Sequence, residues 1–198
     1  MPSPNPWKPT FDADSSSHPF FPKDPREATA NGETMDVPVF IGINKDEGLI
    51  ATGELLRTPS GIEMLKENFD SCMVKNLFGH RLEDVTEKEM KVTSDLVAFY
   101  GVQKEKFDFQ NDFKKLTNLL TDASFAHGSD NQAKSIANNH NSPAFYYILE
   151  HIGSISGSDI FSETYYEIYW GMLWRYFGFH FTKGLGTAHF DDIFYLFK

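Results

Sequence analysis

Two apolar runs of the chain predict β-strands. The run from Val37 to Ile43 is apolar on both faces, which is typical of a central parallel strand covered by helices. The run from Ala144 to Leu149 is rich in aromatic and β-branched residues and lies between Pro143 and Gly153. We therefore expect two strands that are far apart in the chain.

Helical spacing dominates the residues between these strands. Apolar residues recur every three or four positions over 60–78, 87–100 and 108–138, and this spacing predicts helices, the last of them a single helix or a pair. A strand, a long helical insert over 58–140 and a second strand together predict an α/β fold. After the second strand, Gly153 to Asp159 is expected to be a loop.

The helix predicted over 87–100 has the clearest boundaries. Thr86 followed by Glu89 is a capping box, and Gly101 is a typical residue to end a helix. Its apolar positions are expected at Val92, Leu96 and Phe99.

Two segments have an unusual composition. Most of the ten prolines lie in residues 1–34, so this lead-in is expected to be extended coil on the surface, held by aromatic anchors at Trp7, Phe11, Phe20 and Phe21. Residues 165–181 are strongly aromatic, which favours core packing at helical spacing. This segment contains charged residues and falls short of the roughly 20 apolar residues that a membrane span needs.

Charge and cysteine content exclude some classes of function. The formal net charge is −10, which argues against a surface that binds nucleic acid or anionic membranes. Cys72 is the single cysteine, so no disulfide forms within the chain and a structural role for this thiol is expected. The first residues lack the pattern of a secretory signal peptide, and the compartment stays open.

The candidate chemistry lies in two polar turns. Glu47 follows the first apolar run, at the sheet edge where open α/β sheets place catalytic groups, and His189 precedes the apolar run at 193–197. Taken alone, each is more often structural: Glu47 fits a polar turn or a helix start, and Asp191 or Asp192 could simply cap the next helix. The seven histidines show no metal-binding spacing, so no metal or cofactor is expected.

Three motifs in order resemble the type-B carboxylesterase, or cholinesterase-like, family of α/β-hydrolases. They are the strand and acid turn over 37–48, the helix signature over 120–125, and His189 with the acidic and apolar residues that follow it. The resemblance covers essentially the whole chain, as the central-to-late third of a family member. It implies a partial α/β-hydrolase fold over 1–198, divided into a lead-in (1–34), a strand and acid turn (35–48), the helical excursion, and a strand, aromatic segment and His turn (144–198).

The resemblance also implies roles. Glu47 would be the triad acid and His189 the general base of a Ser-Glu-His ester hydrolase that needs no cofactor. Its substrate would be a small hydrophobic carboxylic ester, with residues 165–181 as a possible pocket lining besides their interpretation as core.

This sequence departs from the family pattern in three places. It contains no G-x-S-x-G nucleophile motif and no HGG-type oxyanion segment, and Phe190 stands where the family usually has glycine. We therefore expect a fragment of an esterase that is inactive alone. The alternatives are a non-catalytic cholinesterase-like adhesion or binding protein and, last, a stand-alone interaction module.

Overall fold

The computed structural model describes residues 17–57, 60–79, 82–153, 156–162, 170 and 184–197. The chain forms two compact units. The first comprises Met1–Ile41 and Ser129–Tyr146, and the second comprises Gly42–Gly128 and Tyr147–Lys198.

Both predicted strands are present and pair in a two-stranded sheet. Strand β1 spans Val39–Asn44 and β2 spans Ala144–Leu149. The Val39 N–H donates to the Pro143 carbonyl (3.1 Å), and the Lys45 N–H donates to the Leu149 carbonyl (2.9 Å). The donor advances from Val39 to Lys45 while the acceptor advances from Pro143 to Leu149. The two strands therefore run in the same direction, and the pair is parallel. Strand β1 begins at Val39, directly after Pro38.

The expectation that β1 is covered on both faces holds only at its carboxyl end. Ile43 and Asn44 are buried, whereas Phe40 is 71% exposed and Phe145 of the neighbouring strand is 52% exposed. In the first half of β1 the exposed face is the one that carries Phe40, whereas Val39 and Ile41 on the other face are half-buried. The apolar run therefore predicts more burial than β1 has in this structure.

Helices occupy the three predicted ranges, 60–78, 87–100 and 108–138. Two 3₁₀ turns lie between α-helices, at Leu82–Asp84 and Lys104–Lys106. One π-helical turn spans Asp122–Ala126. The α-helices of the described residues are α1 (Pro25–Ala30), α2 (Leu49–Thr52), α3 (Glu54–Arg57), α4 (Gly61–Glu67), α5 (Phe69–Phe78), α6 (Glu87–Tyr100), α7 (Phe109–Thr121), α8 (His127–Asn139), α9 (Gly157–Ser162) and α10 (Ile193–Leu196).

Helix α6 has the predicted ends but a different buried face. The capping box between Thr86 and Glu89 is formed, and Gly101 ends the helix with φ 68°. The sequence pattern placed Val92 and Phe99 on the apolar stripe, yet they are 39% and 81% exposed. The inward face instead carries Thr93, Leu96, Val97 and Tyr100, at the i, i+3, i+4, i+7 spacing of one helix face.

The core of the second unit joins α4 and α5 with α7 and the segment between α6 and α7. Its buried members are Leu65, Phe69, Met73, Val102, Phe107, Leu116, Leu119 and Leu120. Cys72 packs against this cluster as a free thiol whose pKa is raised by burial, consistent with a structural role. This core supports α7, and α7 in turn supports the turn after β1.

The first unit contains α1, most of α8 and the first halves of both strands. Asp24 caps α1, and Ile136 of α8 is buried. The proposed anchor Phe20 is 83% exposed, so its side chain is not buried in a core, while Phe21 is 38% exposed. Trp7 and Phe11 lie outside the described residues.

The region after β2 differs from its prediction at one point. The loop predicted over 153–159 ends early, because α9 begins at Gly157. Of the aromatic segment only Trp170 lies within the described residues. Among the described helices, none has the length and apolar character needed to cross a membrane.

Candidate active site

The acid turn, Asn44–Gly48, connects β1 to α2. Glu47 is 5% exposed, and its Oε1 accepts a hydrogen bond from the backbone N–H of Asn44 (2.8 Å). The end of a strand and the start of a helix fix the backbone on both sides of this carboxylate. A buried carboxylate needs hydrogen-bonding partners, and one of them is thus supplied by its own turn.

The base turn, Gly186–Asp192, precedes α10 and presents His189 to the acid turn. The Nδ1 atom of His189 lies 2.5 Å from Oε2 of Glu47, although 142 residues separate them. The His189 side chain is 27% exposed and that of Glu47 is 7% exposed. Both site residues singled out from the sequence therefore meet in one hydrogen bond within the second unit.

This hydrogen bond determines which tautomer the imidazole adopts. An ionised carboxylate is an acceptor only, so the neutral imidazole must carry its proton on Nδ1 in order to donate to Glu47. The Nε2 atom is then left without a proton and can accept one. A carboxylate beside Nδ1 also stabilises the imidazolium that forms when Nε2 is protonated.

Asp46 ties the acid turn to the base turn. Its backbone N–H donates to the Thr187 carbonyl (2.9 Å), and its Oδ2 accepts from the Thr187 N–H (2.9 Å). Its Oδ1 pairs with the ammonium group of Lys114 on α7. A side chain at Gly186 would collide with the Asp46 carboxylate, so this approach of the two turns requires glycine there.

Asn44 makes a second tie. Its Nδ2 donates to the Ala188 carbonyl (2.9 Å) and to Oδ1 of Asp192 (3.3 Å). Asp192 also accepts from the Tyr147 hydroxyl (3.3 Å) and from the Ile193 N–H (3.1 Å) at the start of α10. The sequence interpretation of Asp192 as a helix cap is confirmed, and the structure adds its link to the strand end.

Asp191 anchors the base turn to the start of α9. Its Oδ1 accepts from the Gly157 N–H (2.6 Å), and its Oδ2 accepts from the Ser156 hydroxyl (2.8 Å) and the Ala188 N–H (2.9 Å). Burial raises the pKa of Asp191 despite these three donors. The Ser158 hydroxyl joins the same network through Ser156 (2.9 Å).

Helix α7 closes the acid turn from the other side. The Gly48 N–H donates to the Thr121 hydroxyl (2.9 Å), and the hydroxyls of Thr52 and Thr117 lie 2.8 Å apart. A Cβ at Gly48 would strike the Thr117 carbonyl oxygen, which shows how closely α2 packs on α7. The helix signature over 120–125 therefore supports the acid turn through Thr121.

Two phenylalanine rings contact the imidazole of His189. The ring of Phe125, from the π-helical turn, has its centroid 5.3 Å from that of His189, and the ring of Phe190 has its centroid 4.1 Å away. Phe190 has φ 73°, a conformation that favours glycine. The bulky residue that replaces the usual glycine after His189 therefore adopts a strained, left-handed backbone conformation.

Sequence reasoning singled out Glu47 and His189 but missed the residues that support them. Asn44 and Asp46 flank Glu47 in a polar turn directly after an apolar strand, and this position was the available signal. Lys114 and Ser156 had no local signal, since their partners are distant in the chain. Within the described part of the chain, no group of three or more His, Cys, Asp or Glu side chains could hold a metal ion.

Comparisons with known proteins give consistent results. A family model described as "Carboxylesterase family" matches residues 3–198. The chain is 26% identical to juvenile hormone esterase of Tribolium castaneum over 187 residues, which is 93% of this chain and 29% of that protein. It is 24% identical to esterase E4 of Myzus persicae over 164 residues, which is 82% of this chain and 26% of that protein. The chain therefore spans less than a third of the length of these curated relatives.

Proposed function

Because this chain belongs to the carboxylesterase family, we propose that it carries the acid and the base of a carboxylic ester hydrolase of the Ser-Glu-His type. Glu47 is the acid and His189 the general base. The observation that carries this proposal is the 2.5 Å hydrogen bond between His189 Nδ1 and Glu47 Oε2. The esterase names of the relatives support an ester as the substrate class.

The mechanism uses the free Nε2 atom of His189. It accepts the proton of a serine hydroxyl as that oxygen attacks the ester carbonyl carbon, and Glu47 stabilises the resulting imidazolium. Collapse of the tetrahedral intermediate breaks the bond to the alcohol oxygen, which takes the proton from Nε2. A water molecule then repeats both steps on the acyl-serine, releases the acid and restores the neutral imidazole.

The nucleophile of this proposal is no serine of the present chain. The sequence has no G-x-S-x-G motif. In the segment closest to that spacing, Gly153–Gly157, Ser156 is buried and its hydroxyl donates to Asp191 instead of to the base, while Ser154 lies outside the described residues. The 198 residues are accordingly proposed to be inactive by themselves, and the serine to come from another part of the full enzyme.

A hydrolysis assay of the purified 198-residue chain tests its inactivity. On p-nitrophenyl butyrate we expect no turnover that differs between the wild type and His189→Ala. Turnover by the wild type that His189→Ala abolishes would contradict the assignment of the nucleophile to another segment.

A second experiment tests the roles of Glu47 and His189. The transcript upstream of Met1 is read, and the longest open reading frame that contains this chain is expressed. We expect a G-E-S-x-G motif in that frame and ester hydrolysis that falls by about 10³-fold or more in His189→Ala and in Glu47→Gln. Glu150→Gln is the matched control, since Glu150 is an exposed glutamate paired with Lys45. A frame without the serine motif would favour a non-catalytic binding protein of the same family.

A further inference from the structure

Phe190 has a backbone conformation that few bulky residues adopt. It is the single non-glycine residue with positive φ among the described residues, at 73°. The left-handed region places the Cβ atom too close to the following carbonyl oxygen, and a residue of this size is held there at a cost in backbone strain. The strain therefore raises the question of which contact the Phe190 ring gains.

The conformation at Phe190 brings two consecutive rings together. In extended backbone, neighbouring side chains point to opposite sides. Here the ring centroids of His189 and Phe190 are 4.1 Å apart, with 51° between the ring planes. The positive φ thus turns the Phe190 ring back onto the imidazole, whereas glycine at this position would leave the imidazole without that contact.

A second ring reaches the imidazole from another irregular element. Phe125 lies in the π-helical turn Asp122–Ala126, and its ring centroid is 5.3 Å from that of His189, with 49° between the planes. A π turn inserts an extra residue into a helix and so changes the direction of the side chains in it. The turn is itself held by the Tyr100 hydroxyl, which donates to the Asp122 carboxylate.

The hydrogen bond to Glu47 leaves the plane of the imidazole incompletely fixed. The ring is tethered at Cγ by its bond to Cβ and held at Nδ1 by Oε2, but small side-chain rotations can still tilt it about the line through Cγ and Nδ1. Such a tilt would carry Nε2, on the far side of the ring, away from a reacting atom. Ring contacts at 4.1 Å and 5.3 Å oppose this motion.

We propose that Phe190, together with Phe125, is a positioning residue that holds the plane of the His189 imidazole while Glu47 holds its Nδ1 atom. The catalytic value of this arrangement rests on the proposed function. The arrangement itself is a property of this chain and can be measured without ester turnover.

Nuclear magnetic resonance of the full 198-residue chain with labelled histidine tests the proposal. The variants are Phe190→Gly, Phe190→Leu and Phe125→Leu, with Phe20→Leu as the control because Phe20 is 83% exposed and belongs to the first unit. The readouts are the downfield signal of the His189 Nδ1 proton, its exchange rate with water, and the shifts that neighbouring aromatic rings impose on the carbon-bound protons of the imidazole.

In the wild type we expect a persistent Nδ1 proton signal and ring protons displaced by the two phenylalanines. In Phe190→Gly the displacement should shrink and the Nδ1 proton should exchange up to about tenfold faster, the factor that corresponds to the strongest aromatic contacts of this kind. Phe190→Leu and Phe125→Leu should show smaller changes of the same sign, and the control should show none.

The proposal is overturned if Phe190→Gly leaves the exchange rate and the imidazole shifts unchanged while the amide signals of Asn44 and Asp46 show an intact fold. A wild-type spectrum with imidazole protons at the positions of an unfolded chain would also overturn it. The Phe125→Leu variant tests the contact of a ring with the imidazole without changing the backbone conformation at Phe190. If the esterase experiment failed, the contacts of Phe190 and Phe125 would lose their catalytic meaning, but these NMR signals would not change. Failure of the proposed function can therefore be distinguished from failure of the positioning proposal.

Discussion

The acid turn and the base turn meet at one hydrogen bond, but they are built differently. In the acid turn, Asn44, Asp46 and Glu47 are all buried, between a strand and a helix. The base turn contains two residues with positive φ, at 153° for Gly186 and 73° for Phe190. Its shape depends on bonds to the acid turn and, through Asp191, to the start of α9. Damage in the acid turn should therefore reach His189, whereas changes in the base turn should leave Glu47 in place.

The largest effect is expected from Gly48→Ala in the acid turn. A methyl group there would strike the Thr117 carbonyl oxygen and would lie 3.0 Å from the backbone nitrogen of Thr121, so α2 must move away from α7. We expect the free energy of unfolding to fall by about 3 kcal/mol. Urea denaturation followed by circular dichroism measures this change.

Gly128→Ala is the matched control for that substitution. Gly128 lies in α8, and a methyl group there would meet nothing within 4 Å. Alanine is the better helix former, so this variant should gain up to about 1 kcal/mol. Equal losses in both variants would mean that close packing of the acid turn on α7 is not what limits stability.

Asp46→Asn should give the next largest effect and should reach the base. Asp46 accepts from the Thr187 N–H at one oxygen and from Lys114 at the other. An amide has one acceptor oxygen, so its NH₂ group must face a donor in either orientation. We expect a loss of about 2 kcal/mol in the free energy of unfolding and a weaker His189 Nδ1 proton signal.

The control for Asp46→Asn is Asp95→Asn, which makes the same chemical change in an exposed ion pair with Lys91. It should cost no more than about 0.5 kcal/mol and leave the His189 signal unchanged. A stable Asp46→Asn variant with an unaltered His189 signal would show that the base turn holds its shape without the acid turn.

Local signals in the sequence predicted much of the fold. The bounds of β2 and the cap at Thr86 were found because these features depend on neighbouring residues alone. The buried face of α6 was predicted correctly at Leu96 but not at Phe99, since Phe99 and Val97 have similar apolar character and tertiary packing selects between them. The exposure of Phe40 on β1 was missed for the same reason: an apolar run shows what a strand could bury but not what covers it.

The candidate site could be predicted in outline only. Glu47 and His189 were found through motifs, and the difficulty at Phe190 was visible because glycine is usual there. The bond between Asp46 and Thr187 spans 141 residues, and no local pattern announces such a contact. The supporting residues of the base turn depend on folding at long range, and the sequence alone leaves them open.

Phe190→Gly should change stability in the opposite direction to the acid-turn variants. Glycine adopts a φ of 73° without strain, and the ring that is lost is 48% exposed. We expect a gain of about 1 kcal/mol in the free energy of unfolding, with the amide signals of Asn44 and Asp46 unmoved. Phe99→Gly, within α6, should lose about 1 kcal/mol. A loss in Phe190→Gly would mean that the contact of this ring outweighs the backbone strain.

The smallest effect is a dependence of the free energy of unfolding on pH, which arises from Asp191 in the base turn. Burial raises the pKa of Asp191, so the folded chain holds this proton more tightly than the unfolded chain does. The contribution of Asp191 to stability is then fully present below its unfolded pKa of about 3.9 and declines as the pH rises through its folded pKa. In urea titrations from pH 3 to 7, the stability advantage of the wild type over Asp191→Asn should shrink with rising pH. An advantage that grows with pH would mean that the donors from Gly157, Ser156 and Ala188 outweigh burial, and that the base turn is anchored by a charge.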